Sequence, residues 1–298
     1  MSGNPEDVTT TARFIQGYRR LVEEFPSSEL VDGSQLSRQV QSGVDKTGDG
    51  IPILSDIDVN FRQSSMSRFS RELGALLLSH ESECFHKVGS VFSRSEVPAE
   101  ALSSFAQGRL RGDSSCLVEL GDGHDLGPDT LTFFGTYLVR PIRVLVRAQF
   151  EQSSSAGDWS LGYCPVCGLW PPMARLEPEV GRRFLWCIGC DGQWQFPRIR
   201  CPFCLERDQE KLGYLTVDGW PGYRVYTCDS CGRYIKCRDE RRPRDLISMD
   251  MDTDYLSTFS LDTAAGNEGY RSNETGRAAF GAAERAAATT YREKAIHA

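Results

Sequence analysis

Apolar side chains in the first half of the chain recur every three or four residues, which is the spacing of amphipathic helices. These stripes predict helices over residues 8–25, 66–77, 98–110 and 131–145. Residues 27–60 are instead rich in Ser, Gly and Asp, which predicts a long loop or a partly extended connection. Pro141 lies inside the last stripe and should kink that helix. The pattern therefore predicts an all-helical domain over residues 1–155.

From Tyr163 onward the pattern changes to short stretches of aromatic and β-branched residues, which is typical of strands. The stretches cover residues 183–186, 194–196, 214–217, 223–226 and 234–236. Each stretch lies near a pair of cysteines, so we expect small hairpins that are held by metal ions. The predicted organisation is a first module at 156–200, a second at 201–245, a C-terminal segment at 246–273 and a poorly ordered tail at 274–298.

Eight of the eleven cysteines stand in four Cys-x-x-Cys pairs. The pairs are Cys164 with Cys167, Cys187 with Cys190, Cys201 with Cys204, and Cys228 with Cys231. Two residues between two thiolates let one turn place both sulfurs on the same metal ion, and two such turns complete a tetrahedron. The eight cysteines therefore predict two metal sites of four thiolates each. Such sites accept zinc or iron, so spacing leaves the metal open.

The intervals between successive pairs favour one grouping of the thiolates. They contain 19, 10 and 23 residues, and the two long intervals suit hairpins that join the first pair to the second and the third to the fourth. An interleaved grouping stays possible. Gly168 and Gly232 can adopt the positive φ that a metal knuckle requires, whereas Asp191 and Leu205 do so less readily. The predicted grouping gives each site one glycine knuckle.

Composition and charge narrow the possible functions. The 298 residues are 40% hydrophobic and 25% charged, as in ordinary soluble globular proteins. The net charge of -7 opposes binding to nucleic acid. The first thirteen residues lack an export signal, and the most apolar stretch contains Arg140, Arg143 and Arg147, which argues against membrane insertion. We therefore expect a cytoplasmic protein that binds neither nucleic acid nor membrane.

The residues that commonly carry catalysis form no recognisable set in this sequence. It contains no Ser/His/Asp set, phosphate loop or dinucleotide fingerprint. A metal ion with four thiolate ligands also has no open position for a reactive water. The three arginines Arg140, Arg143 and Arg147 predict a solvated or internally paired face rather than a partner site. The sequence therefore predicts a protein that is not an enzyme, with no catalytic residue to name.

Five short motifs resemble one known family in order and approximate spacing. They are YCPVCG at 163–168, LWCIGCDGQW, RIRCPFC, TCDSCGRYIK and EGYRSN at 268–273. This pattern is similar to that of the formate dehydrogenase accessory proteins, the FdhE family. The resemblance implies an α+β fold, in which an N-terminal all-α helical domain precedes two small rubredoxin-like or zinc-ribbon-like metal knuckle modules of short β-hairpins.

The same resemblance implies a function. It points to a cytoplasmic maturation factor for respiratory formate dehydrogenases that are exported by the twin-arginine route. Such a factor contacts the catalytic subunit of formate dehydrogenase before export and is not part of the finished enzyme. The resemblance also favours iron in the two metal sites, with zinc possible.

Two other functions compete with this interpretation. A rubredoxin-like electron carrier is favoured by the CPVCG motif at 164–168, although such carriers need no helical domain. A zinc-ribbon nucleic-acid module is favoured by the Trp and Tyr residues near the knuckles, and is opposed by the net charge.

Overall fold

The structure is a computed structural model that describes residues 5–79, 83–152, 159–242 and 250–272. The tail predicted at 274–298 lies outside the described residues. The chain divides into a helical unit, Ala12–Gly157, and a second unit made of Asp158–Ala298 with Met1–Thr11. The predicted strands and all eight paired cysteines lie in the second unit.

The helices of the first part of the chain are short except for the first and the last. They are α1 (Pro5–Glu24), α2 (Ser27–Leu30), α3 (Gly33–Asp45), α4 (Gln63–Leu78), α5 (Glu83–Ser93), α6 (Ala99–Arg111), α7 (Ser115–His124) and α8 (Pro128–Glu151). Helix α8 is central, since it contacts each of α2 to α7. Its residues Leu131, Phe134, Leu138 and Ile142 are fully buried, as their spacing predicts.

The long loop predicted for residues 27–60 is wrong. This segment contains α2, α3 and two short 3-10 turns at Thr47–Asp49 and Ile53–Ser55. Helix α3 forms because Leu36, Val40 and Val44 recur every four residues and are buried on one face. The Asp32 side chain caps the helix by accepting a hydrogen bond from the N–H of Ser34 at 3.0 Å.

The strands of the second unit form one sheet. They are β1 (Met173–Leu176), β2 (Arg183–Trp186), β3 (Gln193–Gln195), β4 (Leu212–Leu215), β5 (Tyr223–Cys228) and β6 (Arg233–Asp239). Their order is β3-β2-β1-β6-β5-β4, and neighbours are antiparallel except for β1 and β6, which are parallel. Each half repeats one pattern, in which a third strand follows a hairpin. The parallel pair β1 and β6 therefore joins residues of both predicted modules in one sheet.

Two C-terminal helices cover part of this sheet. Helices α9 (Met251–Ser257) and α10 (Phe259–Asn267) place Met251, Leu261 and Ala265 in a buried cluster with Met173 and Trp186 of the sheet. The predicted fold class is confirmed: a helical N-terminal region is followed by a sheet that carries two sets of cysteine knuckles.

Candidate metal centre

Four turns of the same geometry carry the paired cysteines. In each turn, the residue after the second cysteine donates its N–H to the carbonyl of the first cysteine, at 2.8–3.0 Å. These residues are Gly168, Asp191, Leu205 and Gly232. All four have φ between 57° and 66°, so Asp191 and Leu205 adopt the conformation that we expected them to adopt less readily. Their side chains offset part of that strain, because Asp191 accepts a hydrogen bond from Trp186 at 2.7 Å and Leu205 is buried.

The turns bring the eight sulfurs together in two groups of four. We call these groups the first cluster and the second cluster. The first cluster consists of Cys164, Cys167, Cys187 and Cys190. The second cluster consists of Cys201, Cys204, Cys228 and Cys231. The adjacent grouping favoured by the sequence is therefore confirmed. Hairpin β1–β2 brings the second cysteine pair beside the first, and hairpin β4–β5 brings the fourth pair beside the third.

The spacing of the sulfurs fits a tetrahedral metal ion. In the first cluster, Cys167 Sγ lies 3.6 Å from Cys164 Sγ and 3.4 Å from Cys187 Sγ. A metal ion with four bonds of about 2.3 Å to sulfur would space those sulfurs about 3.8 Å apart. None of these cysteines forms a disulfide, whose sulfurs would be about 2.05 Å apart. The first cluster can thus hold one ion after a small adjustment.

The second cluster has the same geometry but is less buried. Cys201 Sγ lies 3.8 Å from Cys231 Sγ, and Cys204 Sγ lies 3.6 Å from Cys228 Sγ. Cys204 and Cys231 are half-buried, whereas all four cysteines of the first cluster are buried. The first cluster is therefore shielded from solvent, and the second cluster has an accessible side.

The environment of the thiols sets how readily they lose protons. Burial raises the pKa of the Cys164 and Cys190 thiols well above the ordinary value. In the second cluster, hydrogen bonds from the thiols of Cys201 and Cys231 lower the pKa of Cys204. A metal ion needs thiolate ligands and must displace these protons, so metal affinity falls as the pH falls.

The two tryptophans that flank the second knuckle hold its surroundings in place. Trp186 is fully buried in the core cluster beside Ile188, and Trp194 donates from Nε1 to the carbonyl of Leu161 at 2.9 Å. Both side chains therefore fix the position of the knuckle by packing and hydrogen bonding. Neither has a free polar atom for chemistry.

The remaining candidates lie apart from the clusters. Arg140 and Arg143 are buried, with exposures of 6% and 1%, so of the two predicted alternatives, a solvated or an internally paired face, the solvated one is excluded for both. Arg143 on α8 donates a hydrogen bond to the carbonyl of Arg109 on α6, so its burial is explained by a contact between two helices. Cys116 and Cys237 are buried outside both clusters. Among the described residues, the two clusters are the only groups of three or more metal-binding side chains.

Comparison with known proteins identifies relatives of this chain. No protein-family model matches it. An FdhE homologue of Aquifex aeolicus strain VF5 is 26% identical over 266 residues, which is 84% of this chain and 88% of that protein. A crystal structure of the FdhE protein from Pseudomonas aeruginosa aligns with 92% of this chain, and the alignment includes 96% of the Pseudomonas chain. The TM-score is 0.52 and the sequence identity is 20%. The predicted resemblance to FdhE is confirmed. The likeness to the Pseudomonas FdhE shows a shared fold.

Other FdhE proteins match over a shorter part of the chain. The FdhE homologue of Shewanella baltica strain OS185 is 33% identical over 110 residues, and FdhE of Escherichia coli O1:K1 is 32% identical over 112 residues. Each match covers 36% of this chain and about a third of the relative, 35% and 34%.

In the part of the chain that the structure describes, no helix is long and apolar enough to span a membrane.

Proposed function

We propose that this chain is a maturation factor for a respiratory formate dehydrogenase and that it binds the catalytic subunit before that subunit is exported. The proposal rests on the similarity to FdhE proteins. One structural observation supports it: each cluster offers four cysteine sulfurs, which would fill the coordination shell of a tetrahedral ion and suit a scaffold better than a hydrolytic centre. The factor acts in the cytoplasm and has no catalytic activity of its own.

The eight cysteines are the proposed ligands of two metal ions. Their sulfur spacing fits a tetrahedral ion, and thiolates suit both iron and zinc. The resemblance to FdhE favours iron. A bound ion would supply the crosslink between two knuckles of each cluster, and redox activity would follow only from iron.

The metal content provides the first test. Protein purified without oxygen should contain two metal ions per chain, which elemental analysis measures. Ferric tetrathiolate sites would be red, whereas zinc sites would be colourless. The double variant C164S/C167S should lose one ion of the two because it removes half of the ligands of one cluster. The control Cys116→Ser should keep both ions, since Cys116 lies outside the clusters. A wild-type protein without metal would contradict the assignment.

The partner provides the second test. A tagged chain, produced in its own host, should retain the formate dehydrogenase catalytic subunit while that subunit still carries its export signal. Deletion of the chain should remove formate oxidation by the respiratory enzyme. The control Cys116→Ser should behave as wild type in both assays. The proposed function is wrong if the tagged chain never retains the subunit and deletion leaves formate oxidation unchanged.

An electron carrier stays a second candidate because of one observation. Cys204 and Cys231 are half-buried, so an iron ion in the second cluster would lie near solvent, as electron exchange requires. Rapid, reversible reduction of this site by a protein donor, with no effect of deletion on formate dehydrogenase assembly, would favour this function.

A further inference from the structure

A concave pocket beside the second cluster is unusually cationic. Arg183, Arg198, Arg200 and Arg233 line it together with Tyr226 and the ligand Cys201. None of the lining residues that the structure describes is acidic, although the whole chain has a net charge of -7. Four arginines in one concavity, with no carboxylate among the described lining residues, favour a negatively charged ligand.

Arg183 is the most deeply placed of these cations. Its side chain is on β2 and only 3% exposed. Nη2 donates to the carbonyls of Pro197 and Arg200, which fixes the loop that leads into the third knuckle. The buried Nε has no hydrogen-bond partner among the described residues. Because its hydrogen-bond acceptors are neutral carbonyls, the Arg183 guanidinium keeps its full positive charge, and its Nε–H remains an unused donor.

Tyr226 on β5 adds a second unused donor to the same lining. Its hydroxyl is buried and makes no hydrogen bond within the described part of the chain. Protein interiors rarely leave such groups unsatisfied, and a ligand that accepts hydrogen bonds would satisfy both. Carboxylate and phosphate oxygens accept from guanidinium and phenol groups alike, and they are negatively charged.

The second cluster does not cancel this charge. A divalent ion held by four thiolates would carry about two negative charges, which is fewer than the four positive charges of the lining arginines. The ring of Phe196 lies 5.3 Å from the Arg183 guanidinium, and such a contact offsets only part of a buried charge. We propose that this arginine pocket binds a small oxyanion of the phosphate or carboxylate class. This inference stands independently of the proposed maturation function.

Titration of the full-length, metal-loaded chain tests the proposal. Inorganic phosphate and acetate are added at constant ionic strength set by chloride, and binding is followed by calorimetry. At least one of the two should bind saturably in the millimolar range or tighter. Arg198→Ala removes an exposed pocket cation, and Tyr226→Phe removes only the buried hydroxyl. Each variant should weaken binding about tenfold, as expected for a lost hydrogen bond to a charged group.

The matched control is Arg207→Ala, which removes an exposed cation from the segment between the third knuckle and β4, outside the pocket lining. It should leave the affinity unchanged. Arg183→Ala is avoided because Arg183 also holds two backbone carbonyls. The proposal is overturned if neither anion binds saturably, or if Arg207→Ala weakens binding as much as Arg198→Ala does. Unchanged affinity in both pocket variants, with unfolding midpoints equal to wild type, would also overturn it.

Discussion

The residue that ends each knuckle shows how a turn can override the preference of a side chain. Gly168 and Gly232 have the positive φ that glycine tolerates, and this was predictable from their place after the second cysteine. Asp191 and Leu205 have the same φ because the hydrogen bond to the first cysteine of the knuckle requires it. Glycine is therefore favoured at this position but is not required.

Gly232→Ala should destabilise the second unit by about 1–2 kcal/mol, the usual cost of a left-handed conformation for a residue with a Cβ. A Cβ at Gly232 would meet no atom within 4 Å, so backbone strain alone sets the cost. Urea unfolding of metal-loaded protein measures it. The control Gly266→Ala also meets no atom within 4 Å, but its φ is ordinary and it lies in α10. It should be neutral or slightly stabilising. Equal losses in both variants would show that the knuckle conformation is not the cause.

The arginines show which residue properties sequence alone did not predict. Arg140, Arg143 and Arg183 are all buried, although arginine is usually exposed. A charged residue is buried where distant segments supply acceptors, and for Arg183 these are the carbonyls of Pro197 and Arg200. The sequence does not reveal which carbonyls will meet which guanidinium.

At the scale of elements, helix α9 is attached to the sheet by a buried carboxylate. Asp254 on α9 is fully buried and accepts hydrogen bonds from the hydroxyl of Tyr223 on β5 and from Arg238 on β6, the latter at 2.9 Å. The Asp254 carboxylate therefore belongs to the interior of the second unit.

Asp254→Ala should lower the free energy of unfolding of the second unit by about 3–5 kcal/mol, because it leaves Arg238, whose side chain is only 11% exposed, without one of its carboxylate partners. Arg238 keeps Glu240, which places the loss toward the lower end of that range. Denaturant unfolding followed by tryptophan fluorescence measures the change. The exposed Glu179→Ala serves as the control and should change stability by less than about 0.5 kcal/mol. A loss of similar size in both variants would refute the role given to Asp254.

The strands were predictable to different degrees. The stretch 183–186 matches β2, while β1 was missed because MARL contains no β-branched residue and follows two prolines. Strand β1 forms because Met173, Ala174 and Leu176 are buried and because β2 and β6 flank it on both sides. The strand conformation of β1 therefore depends on its pairing with β2 and β6.

At the scale of the whole molecule, the two cysteine clusters and the helical core belong to different parts of the chain. The helical unit has an apolar core around α8, whereas the four knuckles of the second unit bring eight cysteine sulfurs together in two clusters. Removal of metal should therefore affect the second unit far more than the helical unit.

Incubation of the metal-loaded chain with a chelator should remove metal in two steps. The second cluster should release its ion first, because Cys204 and Cys231 are half-buried while the first cluster is buried. Release should be faster at lower pH, where protons compete for the thiolates. Hydrogen exchange measured by mass spectrometry should then show lost protection in β4 to β6 before β1 to β3, with α8 still protected. Simultaneous loss in α8 would contradict independent stabilisation.

The sequence alone determined the candidate metal-binding cysteines, the number of clusters and the main helices, because each depends on residues that are close together in the chain. Two residues between thiolates fix a knuckle, and a three-to-four spacing fixes a helix face. Tertiary structure decided what depends on distant residues: the parallel pairing of β1 with β6, the burial of the arginines and the cationic pocket beside the second cluster. Those features arise only when segments far apart in the chain supply each other's hydrogen bonds and charges.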